Sequence, residues 1–452
     1  MKYYSTNNHS IKASLHDAIV KGLAPDKGLY MPERIPALPK AFFKNIANMS
    51  LQEISFVVAN TLFNDDIDSA VLKDIVYDTL NFPIPLVHVC DNKYSLELFH
   101  GPTLAFKDVG ARFMARMLGH FNSLDNTQEE VNVLVATSGD TGSAVANGFL
   151  GVPGVHVYVL YPHGKVSKIQ EAQFTTLGRN ITAIAVNGTF DDCQALVKSA
   201  FMDKELNDAM KLTSANSINV ARFLPQMFYY FFAYAELAKR EQPLDNIVVA
   251  VPSGNFGNIC AALIGKAMGL PIKRFIAANN RNDIFFKYLL TGSYEPRQSI
   301  PTIANAMDVG NPSNFARILD LYGNSHDAIC RDISGCSYTD EQIAQTIKQT
   351  YDNVGYLLDP HGAVAYRSLE EQLKDDETGI FVETAHPAKF KSTVEHIIGA
   401  PVEVPERLAA FMRGEKRFVK MASAFSQFKK FLLANSRSSF LPNRPVNCLA
   451  LS

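Results

Sequence analysis

Through the first ninety residues, apolar positions recur every three to four residues, as in SLQEISFVVANTLF (50–63) and DSAVLKDIVYDTL (68–80). That is the period of helices with one buried face. Proline-rich turns such as RIPALP (34–39) separate them, so this part reads as mostly helical, and NFPIPLVHV (81–89) ends it. Beyond it the pattern changes. Short, continuously apolar, β-branched runs alternate with helical stretches, the signature of βαβ units and a parallel sheet covered on both faces. The expected strands span 131–137, 155–162, 181–186, 246–252, 274–279 and 379–384. The most apolar stretch, Met227 to Leu237, is shorter than the ~20 residues a bilayer span needs and reads as a buried helix.

Two segments share one grammar. VNVLVATSGDTGSAVANGFLGVPGVHVYVLYP (131–162) and NIVVAVPSGNFGNICAALIGKAMGLPIKRFIAAN (246–279) each run from strand through an SGxxG loop and a small-residue helix to a second strand. In open α/β sheets, ligands bind at the carboxyl ends of strands, where these loops lie. The expectation is an α/β protein with two open α/β domains around a cleft and a helical N-terminal domain. Its boundaries are 1–92, then 131–224 for the smaller α/β domain, with 93–130 and 225–452 forming the larger.

Composition narrows the class. The 452 residues suggest about three structural units. Charges nearly cancel, 43 basic against 45 acidic, and 47% of residues are hydrophobic, which argues against a disordered chain or a polyanion binder. Six cysteines without a CxxC pair indicate reduced thiols and no metal site. The N-terminus has no apolar run of secretory type, so a cytoplasmic setting is expected, with neither membrane nor nucleic acid as partner. Basic residues 407–430 read as a solvated helical face, and the tail from Asn435 as loosely held.

Three elements can carry chemistry. The loop Ser253, Gly254, Asn255, Phe256, Gly257, Asn258 ends a strand and opens a helix. Its backbone N–H groups make a cradle for a phosphate dianion, or its glycines simply let the helix pack closely. The loop from Ser138 to Gly142 offers the hydroxyls of Ser138 and Thr141 to a second anion, but Asp140 stands in its middle and also suits a helix N-cap. In LELFHGPTLAFKDVG (96–110), Lys107 sits in the first turn of a helix beside Ala105 and Phe106. An amine beside an apolar wall becomes a nucleophile at neutral pH, whereas a lysine paired with Asp108 or Asp17 would be structural.

HGPTLAFKDVG, TSGDTGSA and SGNFGN, in this order, resemble the threonine synthases of bacterial and fungal type, in the fold-type-II, tryptophan-synthase-β-like family of pyridoxal-phosphate enzymes. SLHDAIVKGLAPDKGLYMPERIP (14–36), NSINVARFLPQ (216–226), DVGNPSN (308–314), DPHGAVA (359–365) and ETAHPAKF (383–390) extend the match from about residue 3 to 400. The resemblance implies that Lys107 holds pyridoxal 5'-phosphate as a Schiff base and shuttles the proton. It implies that Ser253 to Asn258 cradle the 5'-phosphate, and that Thr384 bonds the pyridine nitrogen. Relatives often carry asparagine where Asp140 stands, so the role of Asp140 is left open.

The implied substrate is O-phospho-L-homoserine, which carries two anionic groups. Ser138 and Thr141 suit one, and Asn219 with Arg222, one helical turn apart, suit the other. Lys168 and His386 are weaker candidates. The implied reaction is a replacement in which phosphate leaves Cγ and water adds at Cβ, giving threonine, in a monomer or homodimer. A serine or threonine dehydratase shares the fold and lysine but needs one anion site. Arg222 and the N-terminal extension argue against it. Retention of Lys107, Thr384 and the whole phosphate loop disfavours a silent ligand-binding paralogue, and the lack of a GxGxxG with its later acid disfavours a nicotinamide dehydrogenase.

Overall fold

In the computed structural model, which describes residues 1–125 and 129–436, the first eighty residues combine helices with a small sheet. The helix Leu51–Phe63 opens on a capping box in which Ser50 and Glu53 serve each other's backbone. The helix Ser69–Thr79 is capped by Asp68. Their repeating apolar residues Ile54, Val58, Leu72 and Val76 are fully buried. The expected helices are present. The helical reading missed three strands, β1 (Tyr3–Ser5), β2 (Lys12–Ala13) and β3 (Tyr30–Pro32), which pair antiparallel in the order β2-β1-β3. Two or three residues are too few to display a period of two.

A hairpin of β4 (Leu86–Cys90) and β5 (Lys93–Glu97) follows. The chain then lays down β6 (Val131–Ala136), β7 (Val155–Pro162), β8 (Ile181–Asn187) and β9 (Lys211–Ser214). After the helix Phe228–Lys239 come β10 (Ile247–Pro252), β11 (Arg274–Asn279), β12 (Ile333–Ser337) and β13 (Thr378–Glu383). Last is β14 (Val419–Ala422). All six expected strands form, each within one residue of its expected ends.

Two larger sheets result. One has the order β12-β11-β10-β13-β5-β4 and is parallel except for edge strand β4; the other, β14-β8-β7-β6-β9, is wholly parallel. β10 and β6 are buried at every position, as strands covered on both faces must be.

The structure changes one boundary. β14 lies in the stretch expected for the larger domain, yet it pairs with β8 in the smaller sheet. The expected basic helical face around it is instead a helix, an edge strand and a second helix. There Arg413 pairs with Glu406, Lys416 with Glu171, and Lys429 with Asp203 and Glu205. The expected loose tail falls, apart from its first two residues, outside the described residues.

The apolar stretch at 227–237 is a buried helix, with Phe228, Tyr229, Tyr230 and Phe231 at 1% exposure or less. Full burial of such a side chain contributes roughly 1.5–3 kcal/mol. No described helix is long and apolar enough to cross a membrane. Of the six cysteines, the five among the described residues are free thiols, and Cys448 lies outside them.

Candidate active site

The loops after β5, β6, β9, β10 and β13 converge on one cavity of about 470 Å³. Lys107, Ser138, Thr141, Arg222, Ser253 to Asn258 and Thr384 all line it.

Lys107 begins the helix Lys107–Leu124, and the turn before it is locked from several sides. Asp108, buried behind that turn, accepts the Thr103 N–H at 2.9 Å and the Thr103 hydroxyl at 2.6 Å. Gly101 allows that approach, since a Cβ there would come within 2.5 Å of the Asp108 carboxylate. The Phe106 N–H donates to the Thr384 carbonyl at 2.8 Å, and the His386 N–H to the Leu104 carbonyl at 3.1 Å. This stitching puts Lys107 and Thr384 on one wall.

The Lys107 amine lies 5.6 Å from the Phe106 ring centroid. Burial pulls its pKa down to about 8; Asp140 opposes that pull, while Arg222 and Lys389 add to it. The arrangement is that of a nucleophile, and neither Asp108 nor Asp17 pairs with it among the described residues.

The second glycine loop opens the helix Gly257–Ala267. Phe256 precedes the helix in the left-handed region, φ +62°, held there by its ring against Phe285 at 4.7 Å. The N–H groups of residues 254 to 259 have no acceptor among the described residues. A Cβ at Gly254 would come within 2.8 Å of the Ala306 carbonyl, and one at Gly257 within 3.0 Å of Ser217 Cβ. Unbonded donors at the start of an eleven-residue helix, closed in by backbone, fit a phosphate dianion.

In the first loop neither Asp140 nor Thr141 is the N-cap. Gly139, at φ +143°, takes that position without a side-chain bond, and Thr137 Oγ1 accepts the N–H groups of Gly139 and Gly142 instead. Asp140 turns away from the anion position. It accepts from Gln170 at 2.9 Å and pairs with Lys389, whose charge, with that of Lys107, keeps it ionised against the opposing effect of burial. That leaves Ser138 and Thr141 to face the cavity.

Arg222 and Asn219 part company. Arg222 is 2% exposed, gives one N–H to the Ala215 carbonyl at 2.5 Å, and keeps its Nε without a partner. Burial lowers its pKa to about 10, yet it stays charged at neutral pH. Asn219 does not reach the cavity. It is the N-cap of the short helix Val220–Phe223, accepting from the Ala221 N–H and donating to the carbonyls of Ile19 and Ser214. Lys168 is exposed at the first position of the helix Lys168–Thr175 and is outside the cavity lining. His386 caps its own turn through the Ala388 N–H at 3.1 Å and packs edge-on against Phe99.

Several lining residues escaped the sequence reading. Asn216 and Ser217 come from the loop after β9, Asn305 to Asn311 from a long connection, and His361 from the start of the helix Pro360–Gln372. The motifs 216–226, 308–314 and 359–365 cover parts of all three places without suggesting a role for these residues. His361 Nε2 accepts the Ala306 N–H at 3.2 Å and so ties the long connection to the site floor.

A family model described as "Pyridoxal-phosphate dependent enzyme" matches residues 94–384. Models described as "Threonine synthase N terminus" and "Threonine synthase, C-terminal" match residues 2–80 and 362–432. The chain is 44% identical over 434 residues to a threonine synthase of Haemophilus influenzae, covering 96% of this chain and 100% of that one. Among solved structures it is similar to threonine synthase from Escherichia coli, with a TM-score of 0.90 and 41% identity over 96% of this chain and 100% of that chain. It is also similar to a PLP-bound threonine synthase from Brucella melitensis, with a TM-score of 0.89 and 34% identity over 97% and 100% of the two chains.

Proposed function

The chain belongs to the threonine synthase family of pyridoxal-phosphate-dependent enzymes, and on that footing we propose that it converts O-phospho-L-homoserine and water to L-threonine and phosphate. Its fold is the expected fold-type-II architecture and its cofactor pyridoxal 5'-phosphate. One observation carries the reading. A lysine whose amine is brought near neutrality shares a cavity with two glycine loops and a buried arginine that has a free N–H.

Lys107 would take the cofactor aldehyde, the backbone of Ser253 to Asn258 its phosphate, and the Thr384 hydroxyl its ring nitrogen. Bound there, the cofactor supplies a conjugated ring that accepts the electron pair left when a proton leaves the substrate carbon beside the amine. Lys107 Nζ would take that proton from Cα. Over the whole reaction the substrate would lose a second proton from Cβ as phosphate leaves Cγ. It would then gain one proton at Cγ, hydroxide from water at Cβ and one proton back at Cα, the other proton of that water leaving with the phosphate. The Ser138 and Thr141 hydroxyls and loop amides would hold one substrate anion and the Arg222 guanidinium the other. We take the enzyme to work in the cytoplasm as a monomer or homodimer on this small-molecule substrate.

The test is direct. Purified protein given O-phosphohomoserine should release phosphate and threonine in equal amounts, and Lys107→Ala should release neither. 2-Oxobutyrate made from threonine as the main activity would replace this reading with a dehydratase.

A further inference from the structure

Arg317, on the helix Phe315–Leu321, is 0% exposed, and no carboxylate pairs with it among the described residues. All of its donors are used on neutral oxygens. Nε and Nη2 donate to the Tyr30 carbonyl at 3.2 and 3.0 Å, and Nη2 also to the Ile218 carbonyl at 2.6 Å. Nη1 donates to the Ser217 carbonyl at 3.0 Å and to Asn314 Oδ1 at 2.6 Å. The Phe223 ring stacks beneath it, 3.9 Å from Cζ to centroid. Burial lowers its pKa to about 9, so it stays a cation at neutral pH. A buried charge without a counter-ion is costly, and a fold that keeps one has an anion to balance it.

The neighbours of Arg317 lead to the phosphate loop. Asn314 Nδ2 donates to the Asn255 carbonyl at 2.9 Å and to the Ser217 hydroxyl at 3.1 Å; Asn255 Nδ2 donates to the same hydroxyl at 3.0 Å. Asn255 lies inside the cradle. Tyr30 belongs to β3, so the same guanidinium grips the N-terminal sheet.

We propose that Arg317 is a positioning residue that couples the N-terminal domain to the cofactor's phosphate site, its charge balanced by the phosphate dianion on residues 253–258. The inference rests on the reading of that loop as the phosphate cradle. It gives the N-terminal domain a part in cofactor retention.

The experiment compares two ligands on the full chain freed of cofactor, pyridoxal 5'-phosphate and pyridoxal, which has the aldehyde without the phosphate. Binding is read by absorbance in the wild type, Arg317→Met and Arg317→Lys. Wild-type protein should strongly prefer the phosphorylated ligand. Arg317→Met should lose about tenfold of that preference with pyridoxal affinity unchanged, the loss of a charge that acts across Asn314 and Asn255, and Arg317→Lys should recover part of it. Amide exchange at residues 28–31 should slow when pyridoxal 5'-phosphate binds the wild type, and not in Arg317→Met.

A purely structural role lowers both affinities together, and that result, or an unchanged preference in both variants, overturns the proposal. A wild-type protein with no preference for the phosphorylated ligand overturns the cradle itself, a distinguishable outcome.

Discussion

Lys389 and Asp140 meet between the two parallel sheets, with Nζ 2.5 Å from Oδ1 and both side chains buried. Lys389 follows β13 and Asp140 follows β6, and Lys389 also donates to the Thr103 carbonyl at 2.9 Å in the turn before Lys107. The pair therefore joins the loops after β5, β6 and β13, three of those that build the cavity. It also explains an acid in a loop proposed to bind an anion, because its charge is neutralised behind the loop.

Removing one partner leaves an uncompensated buried charge. Lys389→Met should cost about 3–5 kcal/mol in a denaturation experiment, and Lys389→Met with Asp140→Asn should recover much of that. The same change removes a cation that lowers the Lys107 pKa and leaves an anion that raises it. The Lys107 amine should then titrate above its present value. Equal losses in the single and double variants would refute the coupling.

Lys107 itself gives a sharper pH signature. A solvated lysine titrates near 10.5, whereas this one sits near 8 because its charged form is desolvated. The rate at which the cofactor-free chain captures pyridoxal 5'-phosphate should rise with pH through about 8. A rise centred near 10.5 would mean that the amine is open to water.

The strands and glycine loops were legible because their signals are local. Continuous β-branched runs mark doubly covered strands, and glycines before a small-residue helix mark a close approach. Asn219 was misread for a physical reason. The i, i+3 spacing that places two side chains on one face holds only inside a helix, and Asn219 is the cap, where the backbone is still extended. The Asp140 to Lys389 pair was invisible because 249 residues separate its partners and only the fold brings them together. β14 was missed because a four-residue edge strand among charged residues has no apolar run to display.

That difference separates two residues expected to act together. Asn219→Ala should lower stability by about 0.5–2 kcal/mol, as loss of a cap does, with KM for O-phosphohomoserine unchanged. Arg222→Lys keeps a charge but loses the free Nε, and should raise KM. A raised KM in Asn219→Ala with full stability would restore it as a substrate contact.

Gly254 tests the cradle by shape. Its Cβ would press on the Ala306 carbonyl at 2.8 Å and Met307 Cα at 3.0 Å, both parts of the long connection lining the cavity. Backbone cannot swing aside as a flexible side chain does. Gly254→Ala should therefore weaken binding of pyridoxal 5'-phosphate by tenfold or more, about 1.4 kcal/mol, with little change in the unfolding midpoint of the cofactor-free chain. Unchanged cofactor affinity would mean that the loop yields.

Glu383, next to Thr384, is fully buried with Oε1 unpartnered among the described residues; its Oε2 accepts the Asp359 N–H at 3.3 Å, and its carboxyl also hydrogen-bonds the Asp359 side chain. Burial pushes its pKa well above the carboxylate range, and the neighbouring charges of Asp359 and Glu97 push it further. Asp359 stays ionised beside His361, whose Nδ1 is 2.8 Å away. A raised carboxyl pKa contributes stability that is fully present below the unfolded value of about 4.5, and it is lost as pH climbs toward the folded value. Glu383→Gln keeps the shape and cannot ionise, so the variant should match the wild type near pH 5 and become progressively more stable than it toward pH 9. Urea midpoints measured across that range would show the gap widening. Parallel curves would mean that Glu383 is ionised in the folded protein, with a negative charge beside the cavity wall.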